Sequence, residues 1–254
     1  MDERTQSIYE HIEELRKRII ITFAFFVLSL FGGLFLAKPI ILFLQQAPVA
    51  QDIPMNAFHL VDPLKVYFQF AFLIAFIVTS PVILYQLWAF IAPGLYENER
   101  KVTLSYIPAA VLLFAAGLSF AYFVLFPYIV HFVGNLAESL NIQEMYGINQ
   151  YFSFLFQLTL PFGFLFQLPV IVMFFTRLGI LSPGLLVKSR RIAYFVLLVI
   201  AGVITPPDLL SHMMVTLPLL LLYEFSIIVS RYAYRKRLEA EAKQQLEEQM
   251  ETSE

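Results

Sequence analysis

Cysteine is absent from this chain of 254 residues, and so are the common short motifs of nucleotide hydrolysis and proteolysis. Without cysteine the protein has neither disulfide bonds nor thiolate metal sites. No G-x-x-x-x-G-K-[ST] loop is present to hold phosphates, and neither H-E-x-x-H nor G-x-S-x-G occurs. We therefore expect a protein that is not an enzyme and that needs no cofactor.

Histidine is also scarce, and its four copies lie far apart in the sequence. Their separation does not match the spacing of a metal-binding motif, so we expect no metal site. The four are His11, His59, His131 and His212.

Charged residues make up only 14% of the chain, against 59% hydrophobic residues and a mean hydropathy of +0.73. Four uncharged runs reach the roughly 20 residues that cross a bilayer. They cover residues 19 to 37, 66 to 96, 102 to 137 and 145 to 176. This pattern is typical of a polytopic membrane protein.

Two later apolar runs are shorter. Residues 192 to 207 hold 16 uncharged residues, and residues 209 to 230 are interrupted by Glu224. A helix of the first run reaches about 24 Å against a hydrocarbon core of about 30 Å. The runs lack the alternation of barrel strands. We therefore expect an all-α fold of six transmembrane helices, the last two short.

The distribution of Lys and Arg predicts the orientation. In a six-span plan fifteen of these residues lie on one side of the membrane, and only Lys38 and Lys65 lie on the other. The positive-inside rule then places both termini in the cytoplasm. A five-span plan would leave five basic residues of the C-terminal tail outside.

Residues 7 to 19 predict an amphipathic helix before the first span, because apolar residues recur there at helical intervals. Its other face carries the charges of HIEELRKR. Such a charge run is typical of a solvated face with basic anchors at the lipid headgroups. A binding role for Glu14 is the alternative.

Residues 80 to 101, SPVILYQLWAFIAPGLYENERK, leave a span, turn at Pro-Gly and end in a charge cluster. In the predicted topology Glu97 and Glu99 share a membrane face with Glu14. Carboxylates there can form charge-assisted bonds with cationic groups of a peptide. An intramolecular balance with neighbouring cations is the alternative; these are Arg16, Arg100 and Lys101.

Few polar residues lie within the apolar runs. Gln69, Gln157 and Gln167 are in the long spans, Glu224 is in the last, and Asp208 is in the outer turn before it. An ion-coupled secondary transporter usually needs ionisable groups deep in its bundle, and only Glu224 approaches that position. This function is therefore the weaker alternative, and Glu224 is either a paired structural group or part of a polar site.

Proline is frequent for a helical chain. Several copies lie in residues 38 to 65, including Pro39 and Pro48, and predict short helices or turns that cap the bundle or lie along the membrane interface. Others lie inside apolar runs and predict kinked helices. These are Pro81, Pro108, Pro127, Pro161, Pro169 and Pro218.

Four segments, HIEELRKR, SPVILYQLWAFIAPGLYENER, FAYFVLFP and TPPD, together resemble the TatC family, the receptor subunit of twin-arginine protein translocation. The similarity extends over about residues 10 to 231. It implies a cupped six-helix bundle in a bacterial-type cell membrane. It also implies binding of signal peptides with paired arginines on the cytoplasmic face, and transport of folded proteins driven by the proton gradient.

The partners that the resemblance implies are single-span subunits of the TatA/TatB type, membrane lipids and further copies of the chain within a larger complex. Nucleic acid is not among them.

The resemblance also assigns residues. Glu14 in H-x-x-E-L-R and Glu99 in YENER match the family's signal-contacting acids, and Arg16 and Phe90 belong to the same inner site. Pro48 matches a position of the outer cap. Asp208 matches the late outer turn. Gln167 departs from the family, because some members carry a membrane-embedded Glu there; an amide can still hydrogen-bond across helices.

The predicted domain plan is a six-span membrane domain over residues 1 to 231, beginning with the amphipathic helix of residues 1 to 18. A charged cytoplasmic tail of residues 232 to 254 follows. We expect the two short helices to thin the bilayer locally or to recruit neighbouring helices. The predicted spans cover about residues 19–37, 66–92, 103–133, 150–178, 192–205 and 211–229.

Overall fold

The structure is a computed structural model that describes residues 3 to 51, 53, 55 to 91, 106 to 143, 145 to 205 and 209 to 251. The predicted sites at Glu99 and Asp208 lie outside these ranges, as does the Pro-Gly turn at 93 and 94.

Most of the described chain is helical. The helices are α1 (Glu3–Gln45), α2 (Asp62–Ile91), α3 (Tyr106–Phe120), α4 (Phe126–Ser139), α5 (Ile148–Leu165), α6 (Leu168–Arg177), α7 (Pro183–Lys188), α8 (Arg190–Ile204) and α9 (Leu209–Glu251). Two-residue strands β1 (Met55–Asn56) and β2 (Tyr146–Gly147) pair in parallel.

Five segments of the described chain are helical, long and apolar enough to cross a membrane. They are Ile12–Gln45, Asp62–Phe90, Ile107–Ser139, Ile148–Arg177 and Leu209–Glu239. Helix α8, in the fifth predicted span, has only 15 residues. The predicted all-α membrane class is therefore confirmed at the level of these five segments.

Helix α1 is longer than its apolar run. It continues through Pro39 to Gln45, where sequence reasoning expected the proline to interrupt the chain. Proline removes only one backbone hydrogen bond of a helix, and apolar residues continue on both sides of this one. The turns of the outer segment begin after Gln45.

The chain forms two compact units. The first comprises Met1–Gly94 and Val130–Phe156, and the second comprises Leu95–Ile129 and Gln157–Glu254. In the first unit α1 packs along α2. Gly33 makes this approach possible, because a methyl group on it would lie 2.5 Å from the carbonyl oxygen of Ala71. The phenolic hydroxyl of Tyr67 also donates to the carbonyl of Leu34.

An aromatic cluster completes the core of the first unit. The Phe70 ring meets those of Phe152 and Phe156 edge to face, each at a centroid distance of 4.9 Å. Near it, the Gln69 amide donates to the Ser153 hydroxyl at 3.3 Å. These contacts hold the first part of α5 against α2.

The second unit uses the same close approach. A methyl group on Gly117 of α3 would lie 2.5 Å from the carbonyl oxygen of Phe162 in α5. Helices α6 and α9 pack together, and the hydroxyls of Thr176 and Ser230 share a buried hydrogen bond of 2.8 Å.

Two prolines coincide with breaks in helical regularity. A π-helical turn, Ala121–Leu125, precedes Pro127. Helix α5 ends at Leu165, and α6 begins at Leu168 with Pro169 in its first turn. Proline cannot donate a backbone hydrogen bond, and so the preceding turn rearranges. Gln167 lies in the second break.

Candidate functional site

The predicted acid Glu14 lies on α1, one turn before Arg18. Its Oε1 atom accepts a hydrogen bond of 3.1 Å from Nε of Arg18 and a second from Nη2. The carboxylate is 33% exposed and the guanidinium 21%. An acid four residues before a base faces it on the same side of a helix, so this pair follows from α1 being helical at this point.

Arg18 also connects the acid to α2. Its Nη1 atom donates to Oε1 of Gln86 at 3.2 Å. One guanidinium therefore holds the Glu14 carboxylate in a set position relative to the neighbouring helix. Both hydrogen bonds from Arg18 to Glu14 are accepted by Oε1, and Oε2 of Glu14 has no protein partner in the described part of the chain.

An apolar cavity of about 330 Å³ opens beside this pair, between α1 and α2. Arg18 and Gln86 form its polar edge. A buried hydroxyl, Thr79 Oγ1, also lies in its wall and has no hydrogen-bond partner. The apolar lining includes Leu15, Ile19, Phe23, Phe26, Ile83 and Phe90.

Two predicted site residues are therefore related through Arg18, which lines the cavity together with Phe90 and is bonded to Glu14. Arg16 lies outside this group: it is 72% exposed and 3.7 Å from Glu13. Sequence reasoning offered Arg16 as the intramolecular partner of Glu14, whereas in the structure the partner is Arg18.

Arg18 and Gln86 are the site residues that sequence reasoning missed. The spacing of four residues between Glu14 and Arg18 is the signal that could have indicated Arg18. Gln86 lies 68 residues further along the chain, and no local pattern indicates its contact.

Gln167 is 8% exposed in the break between α5 and α6. Its Nε2 atom donates to the carbonyl of Ala110 at 3.0 Å, whereas its Oε1 atom is buried without a hydrogen-bond partner. A buried acceptor without a donor is unfavourable. This amide therefore ties the break between α5 and α6 to α3, and it leaves one polar atom for another group.

Glu224 of α9 forms a separate cluster in the second unit. Its Oε2 atom accepts from Nη2 of Arg190 at 2.7 Å, and its Oε1 atom accepts from the Tyr194 hydroxyl at 2.5 Å. The neighbouring Tyr223 hydroxyl donates to the carbonyl of Leu186 at 2.9 Å. The carboxylate thus joins α9 to α8 with both oxygens occupied.

The remaining predicted positions are less informative. Pro48 is exposed in the turns after α1, where Ala50 donates to the carbonyl of Ala47 at 2.8 Å. Glu99 and Asp208 lie outside the described residues. Within the described ranges there is no group of three His, Asp or Glu side chains that would hold a metal ion.

Comparison with known proteins extends over the same elements. The family model described as Sec-independent protein translocase protein (TatC) matches residues 10–218. TatC of Halalkalibacterium halodurans is 64% identical over 236 residues, 93% of each chain. TatCy of Bacillus subtilis is 60% identical over 236 residues, again 93% of each.

A crystal structure of the twin arginine translocase receptor TatC is 30% identical, with a TM-score of 0.76. The match covers 88% of this chain and 99% of that one. On the extent of the family match and the identity to these relatives, this chain belongs to the TatC family of Sec-independent protein translocase proteins.

Proposed function

We propose that this chain is the signal-peptide receptor and core subunit of a Sec-independent translocase that carries folded proteins across a bacterial cell membrane, driven by the proton gradient. Its family membership supports the translocase role, and the family is one of translocase subunits rather than enzymes. The solved relative is itself called the twin arginine translocase receptor.

One observation carries the receptor assignment: Oε2 of Glu14 has no partner in the described part of the chain, and Arg18, which is bonded to Glu14, lines an apolar cavity. A carboxylate oxygen of this kind accepts N–H groups from a guanidinium, and charge-assisted bonds are roughly twice as strong as neutral ones. Oε2 of Glu14 takes one arginine of the signal peptide while Arg18 stays on Oε1. Arg18 then keeps the carboxylate in place and repels cations that cannot reach Oε2.

The cavity supplies the second half of the recognition. An apolar side chain of the peptide enters between α1 and α2 and contacts Phe90 and its neighbours. Binding therefore requires an arginine and an apolar side chain at a set separation. Glu99 is the acid for the second arginine; its position in the YENER motif supports this role.

The membrane plan completes the proposal. Six helices cross the membrane, α8 being the short fifth span, and both termini are cytoplasmic. The excess of basic residues on the side of the termini supports this orientation. The membrane domain extends over residues 1 to 231 and is followed by the charged tail.

Gln167 is the docking position for a single-span subunit of the TatA/TatB type. The unpartnered Oε1 atom supports this role, because a polar side chain of a partner helix would satisfy it. Pro48 belongs to the outer cap, and Asp208 belongs to the late outer turn. An ion-coupled transporter is disfavoured, since the Glu224 carboxylate is already occupied by Arg190 and Tyr194.

The direct test measures the affinity of the purified full-length protein for a labelled twin-arginine peptide. Glu14→Gln keeps the shape of the side chain and removes its charge, and we expect an affinity about tenfold lower, because a hydrogen bond to a charged group contributes about 1.5 kcal/mol or more. Glu13→Gln is the matched control, since Glu13 is 75% exposed and one position away.

Two results would contradict the assignment. The first is equal affinity of Glu14→Gln and wild-type protein. The second is equal loss in Glu14→Gln and Glu13→Gln, which would show a general effect of negative charge near the N-terminus.

A further inference from the structure

A buried arginine ends helix α6. Arg177 is 6% exposed, and its Nε atom is enclosed without a hydrogen-bond partner. No described carboxylate forms an ion pair with it. A guanidinium does not lose its proton in a protein, and a buried charge without a counter-ion is strongly unfavourable. An anion from outside the chain would remove this penalty.

The terminal nitrogens of Arg177 differ from Nε. Nε is enclosed without a hydrogen-bond partner, whereas Nη1 and Nη2 are not among the buried atoms that lack one. These two atoms form the fork that binds phosphate and carboxylate oxygens in pairs. The fork is thus the part of this side chain that is able to bind an anion.

The surroundings of Arg177 are strongly cationic. Seven further Lys and Arg residues lie between positions 188 and 237. The described carboxylates in this part of the chain, Glu224 and Glu239, are already paired with Arg190 and Lys236. The hydrogen bond between Thr176 and Ser230 brings the end of α6 against this basic part of α9. The local field therefore attracts an anion.

The apolar side chains near Arg177 identify the source of the anion. Arg177 is the last residue of the membrane-capable segment Ile148–Arg177, the level at which lipid headgroups lie. Ile180, three residues after Arg177, is 65% exposed, and Ile171, six residues before it, is 45% exposed. A soluble phosphate would leave these apolar side chains exposed, whereas the acyl chains of a phospholipid would cover them.

We propose that Arg177 is a binding site for an anionic phospholipid. Its Nη1 and Nη2 atoms bind the headgroup phosphate, and the exposed apolar side chains of α6 and the turn after it contact the acyl chains. The bound phosphate supplies the counter-ion that the described part of the chain does not provide. This site is in the second unit and is independent of the signal-peptide site at Glu14.

The test uses the full-length protein in detergent, titrated with phosphatidylglycerol and followed by native mass spectrometry. We expect Arg177→Gln to weaken lipid binding at least tenfold. Arg191→Gln is the matched control, because it removes an exposed arginine from the same part of the chain, and we expect a change within twofold. Equal losses in the two variants would overturn the proposal.

Two further arms keep the result decisive. Arg177→Lys keeps the charge without the fork and should bind the lipid about threefold more weakly than wild type. If Arg177→Gln does not fold, Arg177→Lys is compared with Arg191→Lys instead. Equal lipid affinities of these two variants would refute the site. Glycerol 3-phosphate carries the phosphate without acyl chains. If it displaced the lipid at equal concentration, the site would be one for soluble phosphate instead.

Discussion

Two carboxylates of this protein look alike by exposure and differ in what surrounds them. Glu14 and Glu224 are 33% and 35% exposed, and each is bonded to one arginine. At Glu14 both bonds from Arg18 reach the same oxygen, and a cavity adjoins. At Glu224 one oxygen takes Arg190 and the other takes Tyr194.

The difference shows why an ion pair alone does not mark a binding site. A carboxylate with both oxygens bonded inside the protein stabilises the contact between its helices, and a ligand must first break those bonds. A carboxylate with one free oxygen can bind a further cation without that cost. We therefore assign recognition to Glu14 and a structural role to Glu224.

The largest expected effect comes from reversing the charge of the two proposed recognition acids, with Glu224 as the comparison. Combining Glu14→Lys with Glu99→Lys should abolish crosslinking to a twin-arginine signal peptide and lower its affinity by about 100-fold or more, since two charge-assisted bonds of about 1.5 kcal/mol are lost and repulsion is added. Glu224→Lys should leave the affinity within about threefold and lower the melting temperature. Undiminished crosslinking in the double variant would contradict the role of Glu14 and Glu99 in binding the signal peptide.

Helix packing provides the second test, because the same glycine contact occurs in both regions. Gly33→Ala and Gly117→Ala each place a methyl group 2.5 Å from a carbonyl oxygen, and should cost about 1–3 kcal/mol of stability. Only Gly33→Ala should also weaken peptide binding, because it moves α1 relative to α2.

Gly32→Ala is the control for this pair, since nothing lies within 4 Å of the added methyl group. Thermal unfolding and peptide titration of the three variants would separate the effects. Equal peptide affinity in Gly33→Ala and Gly117→Ala would show that the placement of Glu14 does not depend on the α1–α2 contact.

The smallest expected effect is a coupling energy. A double-mutant cycle of Glu224→Gln with Tyr194→Phe should give a coupling energy of about 1 kcal/mol, which is the usual net contribution of a hydrogen bond. A bond to a charged group would contribute more if Glu224 were not partly exposed. The corresponding cycle of Glu14→Gln with Arg18→Gln should give about 0.5 kcal/mol, as for other helix pairs four residues apart. A larger coupling at Glu14 than at Glu224 would reverse the two assignments.

Local patterns predicted much of the fold. The long helices followed from uncharged runs, and the break before α6 from Pro169. Proline was a poorer guide at Pro39, where α1 continues, because the apolar context on both sides favours the helix. The residues around Glu14 divide in the same way: Arg18 could be inferred from a spacing of four, whereas Gln86 and Thr79 come from α2.

By itself the sequence determined that this is a helical membrane protein of the TatC type, because the length of an uncharged run, the distribution of Lys and Arg and the order of short motifs can all be read along the chain. Only the tertiary structure decided which oxygen of Glu14 accepts from Arg18, that Glu224 is bonded through both oxygens, and that the buried Arg177 has no ion-pair partner among the described carboxylates. Each of these depends on side chains that are distant in sequence and meet only when helices pack.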